Sequence, residues 1–217
     1  SANIETTLLK GAALAQTAYD EHSMRIMSDI DIWVRRDNIE PALNQLQQLG
    51  FHTGYKTARP PALQAMSNGE IQLYRPEWQS GLVELQLGPL SGWWLKRTAV
   101  IEADAIWQRK QPLGQSHQLA PEDAILQSAI HLAVNHQYGQ SAIRHFIDIA
   151  LIAQKRGVNW QIIAKRAKSW RIQTAVYLTL HLLTSFINLP EATKILPNLQ
   201  PSPLRKRLLH QIVSPQK

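Results

Sequence analysis

The stretch Arg25-Ile26-Met27-Ser28-Asp29-Ile30-Asp31-Ile32-Trp33-Val34 decides how the fold is interpreted. In its second half, acidic and apolar residues alternate with the period of two that is typical of a half-buried β-strand. On such a strand, Asp29 and Asp31 point to the same face, with their α-carbons about 6.5 to 7 Å apart. Two carboxylates so close repel each other, and a bound cation removes that repulsion. The pair is therefore a candidate metal site, although Asp-x-Asp also occurs in turns.

Glu84 is the candidate third carboxylate. It lies in Gly81-Leu82-Val83-Glu84-Leu85-Gln86-Leu87, which is typical of another short strand. A neighbouring strand could place Glu84 beside the two aspartates. The chain contains no cysteine, so disulfides, thiolate zinc sites and a cysteine nucleophile are excluded. Oxygen ligands alone fit Mg²⁺ or Mn²⁺ better than Zn²⁺.

The segment before this stretch predicts a strand, a turn and a helix. Residues 6–11 form a short apolar run that ends in Lys-Gly, and the alanine-rich residues 12–19 favour a helix. Lys10-Gly11-Ala12 lies at the turn, where glycine lets a phosphate approach the backbone and the first helical N–H groups can bind it. A plain connection between a strand and a helix remains the alternative.

The remaining pattern predicts an α+β fold with a small mixed sheet followed by a helical bundle. Asp37 is the predicted N-cap of a helix that runs through Leu49. Further strands are predicted at residues 51–55, 70–74 and 82–87, with breakers at Pro60-Pro61 and Ser67-Asn68-Gly69. Helices are predicted at residues 122–136, 142–155, 160–168, 174–186 and 204–213, with a loop at residues 196–203. We expect a catalytic domain over residues 1–115 and a helical domain over residues 116–217, packed against it.

Charge is distributed unevenly along the chain. Residues 1–148 carry 12 Lys and Arg against 15 Asp and Glu, whereas residues 149–217 carry 11 basic side chains and one acidic one. This separation suits a protein that handles nucleotides or nucleic acid, but a solvated basic surface would also produce it. No run of apolar residues is long enough to span a membrane and no secretion signal is present, so we expect a cytoplasmic protein.

Three motifs together resemble a known family of proteins. They are Leu8-Leu9-Lys10-Gly11-Ala12, Arg25-Ile26-Met27-Ser28-Asp29-Ile30-Asp31 and Val83-Glu84-Leu85. Their order resembles the nucleotidyltransferase superfamily that includes DNA polymerase beta, and more closely the bacterial uncharacterised nucleotidyltransferase family. The resemblance extends to a His…His…Arg…Asp pattern in the helices and spans roughly residues 7 to 185.

The resemblance implies specific roles for residues of this chain. Asp29, Asp31 and Glu84 would be the catalytic metal ligands, and Gly11 with Ala12 would face the phosphates. Lys10, Arg25 and Ser28 join the candidate nucleotide-binding residues. Two positions depart from the pattern: Ala12 lacks the hydroxyl of the usual Gly-Ser turn, and Gln86 replaces an expected histidine, which leaves the role of that position open.

The helical pattern adds four candidate cleft residues. They are His131, His136, Arg144 and Asp148. On one continuous helix, His131 and His136 would lie about 140° apart around the axis, so they cannot form the i, i+4 zinc pair of His-Glu-x-x-His proteins. Arg144 and Asp148 are four residues apart, where either an intrahelical ion pair or a place in the cleft is expected.

The leading hypothesis is an enzyme that transfers a nucleoside monophosphate from ATP or another NTP to an acceptor hydroxyl and releases pyrophosphate, with Mg²⁺ or Mn²⁺ as cofactor. The acceptor is open among a small molecule, a protein and RNA. One alternative is a catalytically silent module of the same fold that senses nucleotides or serves as a partner in a toxin–antitoxin pair. Another is non-specific nucleic-acid binding by the basic helices.

Overall fold

The computed structural model describes residues 4–54, 59–77, 81–90, 95–139 and 142–213. The chain divides into two compact units, one ending at Ala124 and one beginning at Ile125. The first unit carries the sheet and the second is helical, so the predicted α+β class is confirmed. No helix among these residues is long and apolar enough to cross a membrane.

Within the described residues, seven strands form one mixed sheet in the order β3-β4-β5-β2-β1-β7-β6. The strands are β1 (Thr6–Leu8), β2 (Asp29–Val34), β3 (His52–Thr53), β4 (Glu70–Tyr74), β5 (Leu82–Gln86), β6 (Gln111–Leu113) and β7 (Ser116–Gln118). The helices that accompany them are α1 (Lys10–Thr17), α2 (Ile39–Gln48), α3 (Pro61–Asn68), α4 (Leu95–Thr98) and α5 (Ala103–Gln108), with 3₁₀ turns at His22–Met24 and Arg36–Asn38.

Strand β2 occupies the centre of the sheet. It pairs antiparallel with β1 and parallel with β5. Because side chains alternate along each strand, one face of these strands is apolar and the other carries the carboxylates. The apolar face contributes to a buried cluster formed by Val34, Ala42, Phe51, Ile71, Leu73, Val83 and Leu85. This core fixes the register of β2 and β5, and with it the positions of the acidic side chains.

Helix α2 begins later than the sequence predicts. Asp37 lies in the 3₁₀ turn, Asn38 is the N-cap of α2 and makes no side-chain capping bond, and Leu49 is exposed beyond the helix end. The predicted N-cap at Asp37 is therefore wrong. The residues that would have formed the first turn of the helix form the 3₁₀ turn instead, so the N-cap is Asn38.

Residues between the third and fourth predicted strands also differ from the prediction. The breaker Pro60-Pro61 starts helix α3, because proline at the first helical position has a suitable φ and needs no N–H partner. Gly69 ends α3 in the left-handed conformation, with φ of 81°. Strand β3 covers only His52–Thr53, and Tyr55, the end of the predicted strand, lies outside the described residues.

Five of the six described helices that follow are close to the predicted ones, whereas the helix at Pro190–Leu199 was not predicted. The six are α6 (Pro121–Val134), α7 (Ala142–Lys155), α8 (Trp160–Ser169), α9 (Gln173–Phe186), α10 (Pro190–Leu199) and α11 (Pro203–Val213). The predicted loop at residues 196–203 is wrong over its first part, because α10 continues through Pro197. Pro197 lies in the last turn, and the buried face formed by Ala192, Ile195 and Leu199 holds the helix despite the lost N–H.

Candidate active site

Three carboxylates converge where β2 and β5 run side by side. The parallel register places Asp31 opposite Glu84, and Asp29 shares their face because it lies two residues before Asp31. One carboxylate oxygen from each residue lies within 4.8 Å of the other two. Asp31 is 2% exposed and Glu84 is 7% exposed, whereas Asp29 is half-buried. The acidic cluster thus opens toward solvent at Asp29.

Lys10 is the cation that the structure places against this acidic cluster. Its Nζ lies 2.7 Å from Oδ1 of Asp31. Burial by itself lowers the pKa of Lys10, but the attraction and hydrogen bond of Asp31 outweigh it, so the pKa is raised and the ammonium stays charged. Lys10 has a φ of 47°, which is costly for a residue with a Cβ. The fold holds this strain where the strand turns into α1.

Two glutamines support the carboxylates from the neighbouring strands. Nε2 of Gln86 donates to Oδ1 of Asp31 at 2.9 Å, to Oε2 of Glu84 at 3.3 Å and to Oε2 of Glu70 at 3.1 Å. Nε2 of Gln72 donates to Oε1 of Glu84 at 2.8 Å. Gln86, whose role the sequence leaves open, is therefore a buried donor shared by three carboxylates.

The sequence analysis missed Glu70 and Gln72. Both lie on β4, which pairs antiparallel with β5 so that Gln72 faces Glu84 and Glu70 faces Gln86. The alternation Glu70-Ile71-Gln72-Leu73 could have indicated them, because it puts both polar side chains on one face of the strand. Which strand would lie beside it depends on long-range pairing that the sequence does not show.

Crowding of negative charge shifts the protonation of the cluster. Burial raises the pKa of Glu84 to about 7, and the negative charges of Glu70, Asp31 and Asp29 add to this effect against the attraction of Lys10. Burial also raises the pKa of Asp31, while Lys10 opposes the shift. A single ammonium does not offset the carboxylates that surround it. A further positive charge would stabilise the ionised cluster.

The start of α1 lies beside the acidic cluster and carries Gly11 and Ala12. Leu9, the N-cap residue, cannot cap the helix with its side chain, so the first-turn N–H groups are not satisfied in that way. A Cβ on Gly11 would lie 3.4 Å from Nη1 of Arg25 and 3.4 Å from Cβ of Met27. These are ordinary contact distances, so the buried Arg25 side chain packs against the helix start at Gly11.

Arg25 and Ser28 occupy different environments near this turn. Arg25 is 5% exposed, and its Nη1 donates to the carbonyl oxygen of Ile26 at 2.7 Å. Ser28 is exposed, and its Oγ lies 3.4 Å from Oδ1 of Asp29. Arg25 thus packs within the turn region, whereas Ser28 is accessible beside the open end of the acidic cluster.

The four candidate cleft residues all belong to the helical unit. Nε2 of His131 lies 3.0 Å from Nε2 of His136, a closeness that the sequence analysis did not anticipate. Arg144 is exposed on α7, whereas Asp148 is buried there. Oδ2 of Asp148 lies 4.0 Å from Nδ1 of His145, and His145 is a residue that the sequence analysis did not single out.

The chain was compared with protein families, solved structures and curated proteins. The family model described as "Uncharacterised nucleotidyltransferase" matches residues 1–188. The crystal structure of JHP933 from Helicobacter pylori is 14% identical over 96% of this chain and 87% of that chain, with a TM-score of 0.46. No curated protein matches the chain.

Proposed function

The chain belongs to the uncharacterised nucleotidyltransferase family, and on that premise we propose that it transfers a nucleoside monophosphate from an NTP to an acceptor hydroxyl. The observation that carries this proposal is the convergence of Asp29, Asp31 and Glu84, whose carboxylate oxygens lie within 4.8 Å of one another. The acceptor oxygen forms a bond to the α-phosphorus and its proton passes to solvent. The bond from the α-phosphorus to the bridging oxygen breaks, and pyrophosphate leaves with the electron pair.

The donor set of the acidic cluster fits Mg²⁺ or Mn²⁺. It consists of carboxylate oxygens, which suit hard divalent cations. Burial raises the pKa values of Asp31 and Glu84, and the negative charge of neighbouring carboxylates adds to the shift. Asp29, Asp31 and Glu84 would hold the ion. When bound, it would neutralise charge on the phosphates and make the acceptor hydroxyl more acidic.

Side chains around the acidic cluster would orient the carboxylates and the nucleotide. Gln86 and Gln72 fix the carboxylate groups by hydrogen bonds, so the reacting groups meet a site that is already ordered. Lys10 balances part of the charge on Asp31 and lies at the start of α1, where backbone N–H groups favour a phosphate. Ser28 is exposed beside Asp29 and can donate a hydrogen bond to the nucleotide.

The first test is calorimetric titration of each of the four NTPs with and without Mg²⁺. Wild type is expected to bind at least one NTP more tightly with Mg²⁺, and Asp29→Asn with Asp31→Asn is expected to abolish that dependence. Asp37→Asn is the matched control, because Asp37 is an exposed aspartate outside the acidic cluster. The second test follows release of pyrophosphate and transfer of label from an NTP labelled at the α-phosphate.

The outcomes separate the proposed activity from its main alternative. Transfer of the labelled nucleotide that disappears in the double variant supports the enzyme and identifies the acceptor fraction. NTP binding without pyrophosphate release, with small-molecule, protein and RNA fractions all supplied, would favour a nucleotide-sensing module. Absence of metal-dependent NTP binding would contradict the proposed site itself.

A further inference from the structure

Three histidines, His131, His136 and His145, converge in the helical unit. His131 lies in the last turn of α6, His136 follows the end of that helix, and His145 lies on α7. Their ring centroids are 4.7 to 5.3 Å apart. One ring nitrogen from each residue lies within 4.8 Å of the other two. We call this group the histidine cluster; it shares no residue with the acidic cluster.

The end of α6 brings the first two rings together. On a continuous helix, His131 and His136 would point about 140° apart. Helix α6 instead ends at Val134, and Gln137 and Tyr138 adopt φ values of 46° and 57°, which L-residues seldom adopt. His136 itself lies beside His131 because its N–H bonds to the carbonyl oxygen of His131 at 3.3 Å, five residues back, and the strained reversal follows it. Strain of this kind often accompanies a functional arrangement.

The spacing of the ring nitrogens is close to that of ligands on a shared ion. Nε2 of His131 and Nε2 of His136 are 3.0 Å apart. Two nitrogens bound to one tetrahedral Zn²⁺, with Zn–N bonds of about 2.0 to 2.1 Å, lie about 3.3 Å apart. Two imidazole lone pairs that face each other at this distance repel, so either a shared proton or a cation must lie between them.

Burial and the neighbouring carboxylate complete the environment of a metal site. His145 is buried, whereas the rings of His131 and His136 are half-buried, so an ion can reach the cluster from solvent. Oδ2 of Asp148 lies 4.0 Å from Nδ1 of His145, and Asp148 is 1% exposed. Carboxylates beside a ligating histidine orient its ring and increase its basicity.

We propose that His131, His136 and His145 bind one divalent late transition-metal ion, with Zn²⁺ as the best-fitting member of the class. Imidazole nitrogens favour zinc, copper and nickel over Mg²⁺, so this site differs in metal preference from the acidic cluster. The ion crosslinks the end of α6 to α7 and stabilises the helical unit. Asp148, at 4.0 Å too far for a hydrogen bond, is a positioning residue that acts on His145 through its charge.

The test is titration of metal-free, tag-free protein with Zn²⁺ against a chromophoric chelator. We expect one Zn²⁺ per chain at this site, and a fall in affinity of at least about tenfold in His131→Gln and in His136→Gln. Both rings are half-buried, so these variants should fold, and circular dichroism without metal verifies it. His22→Gln is the matched control, because His22 is exposed and lies outside the cluster.

Two further measurements separate this site from other binding. The same titration on Asp29→Asn with Asp31→Asn removes Zn²⁺ binding at the acidic cluster, and we expect the histidine site to remain. Thermal unfolding at a hundredfold excess of Zn²⁺ over its Kd should shift Tm upward by roughly 5 to 10 °C, and this shift should shrink in His136→Gln. The visible absorption of Co²⁺ in place of Zn²⁺ should report nitrogen ligation and vanish in the same variant.

Either of two results would overturn the proposal. One is Zn²⁺ affinity that His131→Gln and His136→Gln leave unchanged in the background without Asp29 and Asp31. The other is absence of Zn²⁺, Co²⁺, Ni²⁺ and Cu²⁺ binding to protein that is folded by circular dichroism. In both cases the three rings would be held together by shared protons and packing. The outcome is independent of whether the chain transfers nucleotides.

Discussion

The acidic cluster and the histidine cluster present opposite chemistry for binding a cation. In the first, oxygens from Asp29, Asp31 and Glu84 are placed by two paired strands whose register is fixed by an apolar core. In the second, imidazoles from His131, His136 and His145 are placed by a helix end and a strained reversal. If both proposals hold, the sheet presents a site for a hard ion and the helical unit presents a site for a softer one, whose geometry depends on how the chain turns.

This difference shows which kind of site can be predicted from the sequence alone. A strand repeats every two residues, so two acids at that spacing share a face wherever the strand lies. A helix repeats every 3.6 residues only until it ends, and the end decides whether two histidines meet. The experiments below test the contrast, beginning with the largest expected effect.

Replacing Asp31 with asparagine should break the acidic cluster most completely. The substitution keeps the shape of the side chain but removes a buried charge that faces Lys10. We expect nucleotide transfer to fall by about a thousandfold, which corresponds to about 4 kcal/mol of transition-state stabilisation. Steady-state pyrophosphate release measures the loss. Asp37→Asn should retain full activity, and an active Asp31→Asn enzyme would remove Asp31 from the catalytic site.

Gln86 tests whether the acidic cluster depends on its neutral donors as well as on a cation. Gln86→Leu removes the hydrogen bonds to Asp31, Glu84 and Glu70. The buried carboxylates then lack this donor. The free energy of unfolding should fall by about 1 to 3 kcal/mol, as measured by urea denaturation. Gln48→Leu, at an exposed position of α2, should change it little. Equal losses in both variants would show that Gln86 does not stabilise the cluster specifically.

Stability of the metal-free protein should depend on pH through Glu84. Its pKa is raised to about 7 in the folded state from 4.5, so between those values the folded protein binds more protons than the unfolded chain. Stability therefore falls as pH rises across this window, by at most about 1.4 kcal/mol per pH unit from this group. Urea denaturation from pH 4.5 to 8 in chelator measures the slope.

Glu84→Gln should flatten that slope, whereas Glu40→Gln, at an exposed position, should leave it unchanged. Mg²⁺ should restore stability above pH 7, because metal ligation favours the ionised carboxylates. A slope that is the same in wild type and Glu84→Gln would assign the pH dependence to other groups.

The sequence predicted the acidic cluster because its logic is local. Asp29 and Asp31 needed only the period of β2, whereas Glu84 came from the family resemblance and the possibility of a neighbouring strand, a place that β5 takes. Glu70 and Gln72 were missed because their place beside Glu84 depends on the antiparallel pairing of β4 with β5. Such pairing is set by the whole sheet, not by the segment itself.

In the helical unit, local sequence patterns predict most helices but not all of their ends or contacts. Most of its helices follow from apolar periodicity, yet Pro197 lies inside α10 because a buried face outweighs one lost hydrogen bond. His145 was missed for a related reason. An unbroken helix would separate His131 from His136, and the end of α6 at Val134, where the N–H of His136 bonds to the carbonyl oxygen of His131, brings their rings together.

Replacing Arg144 should have the smallest effect on stability and Zn²⁺ affinity. Its comparison with Asp148 tests which charge on α7 supports the histidine cluster. The sequence analysis selected Arg144 on the same grounds as His131, but it is exposed on α7, whereas Asp148, four residues later, is buried. Arg144→Ala should therefore change the free energy of unfolding by no more than about 0.5 kcal/mol and leave Zn²⁺ affinity as in wild type. Asp148→Asn should weaken Zn²⁺ by about tenfold, since it removes the charge beside His145. If Arg144→Ala instead weakens Zn²⁺ binding as much as Asp148→Asn does, the effect comes from the charge of α7 as a whole and not from the carboxylate beside His145.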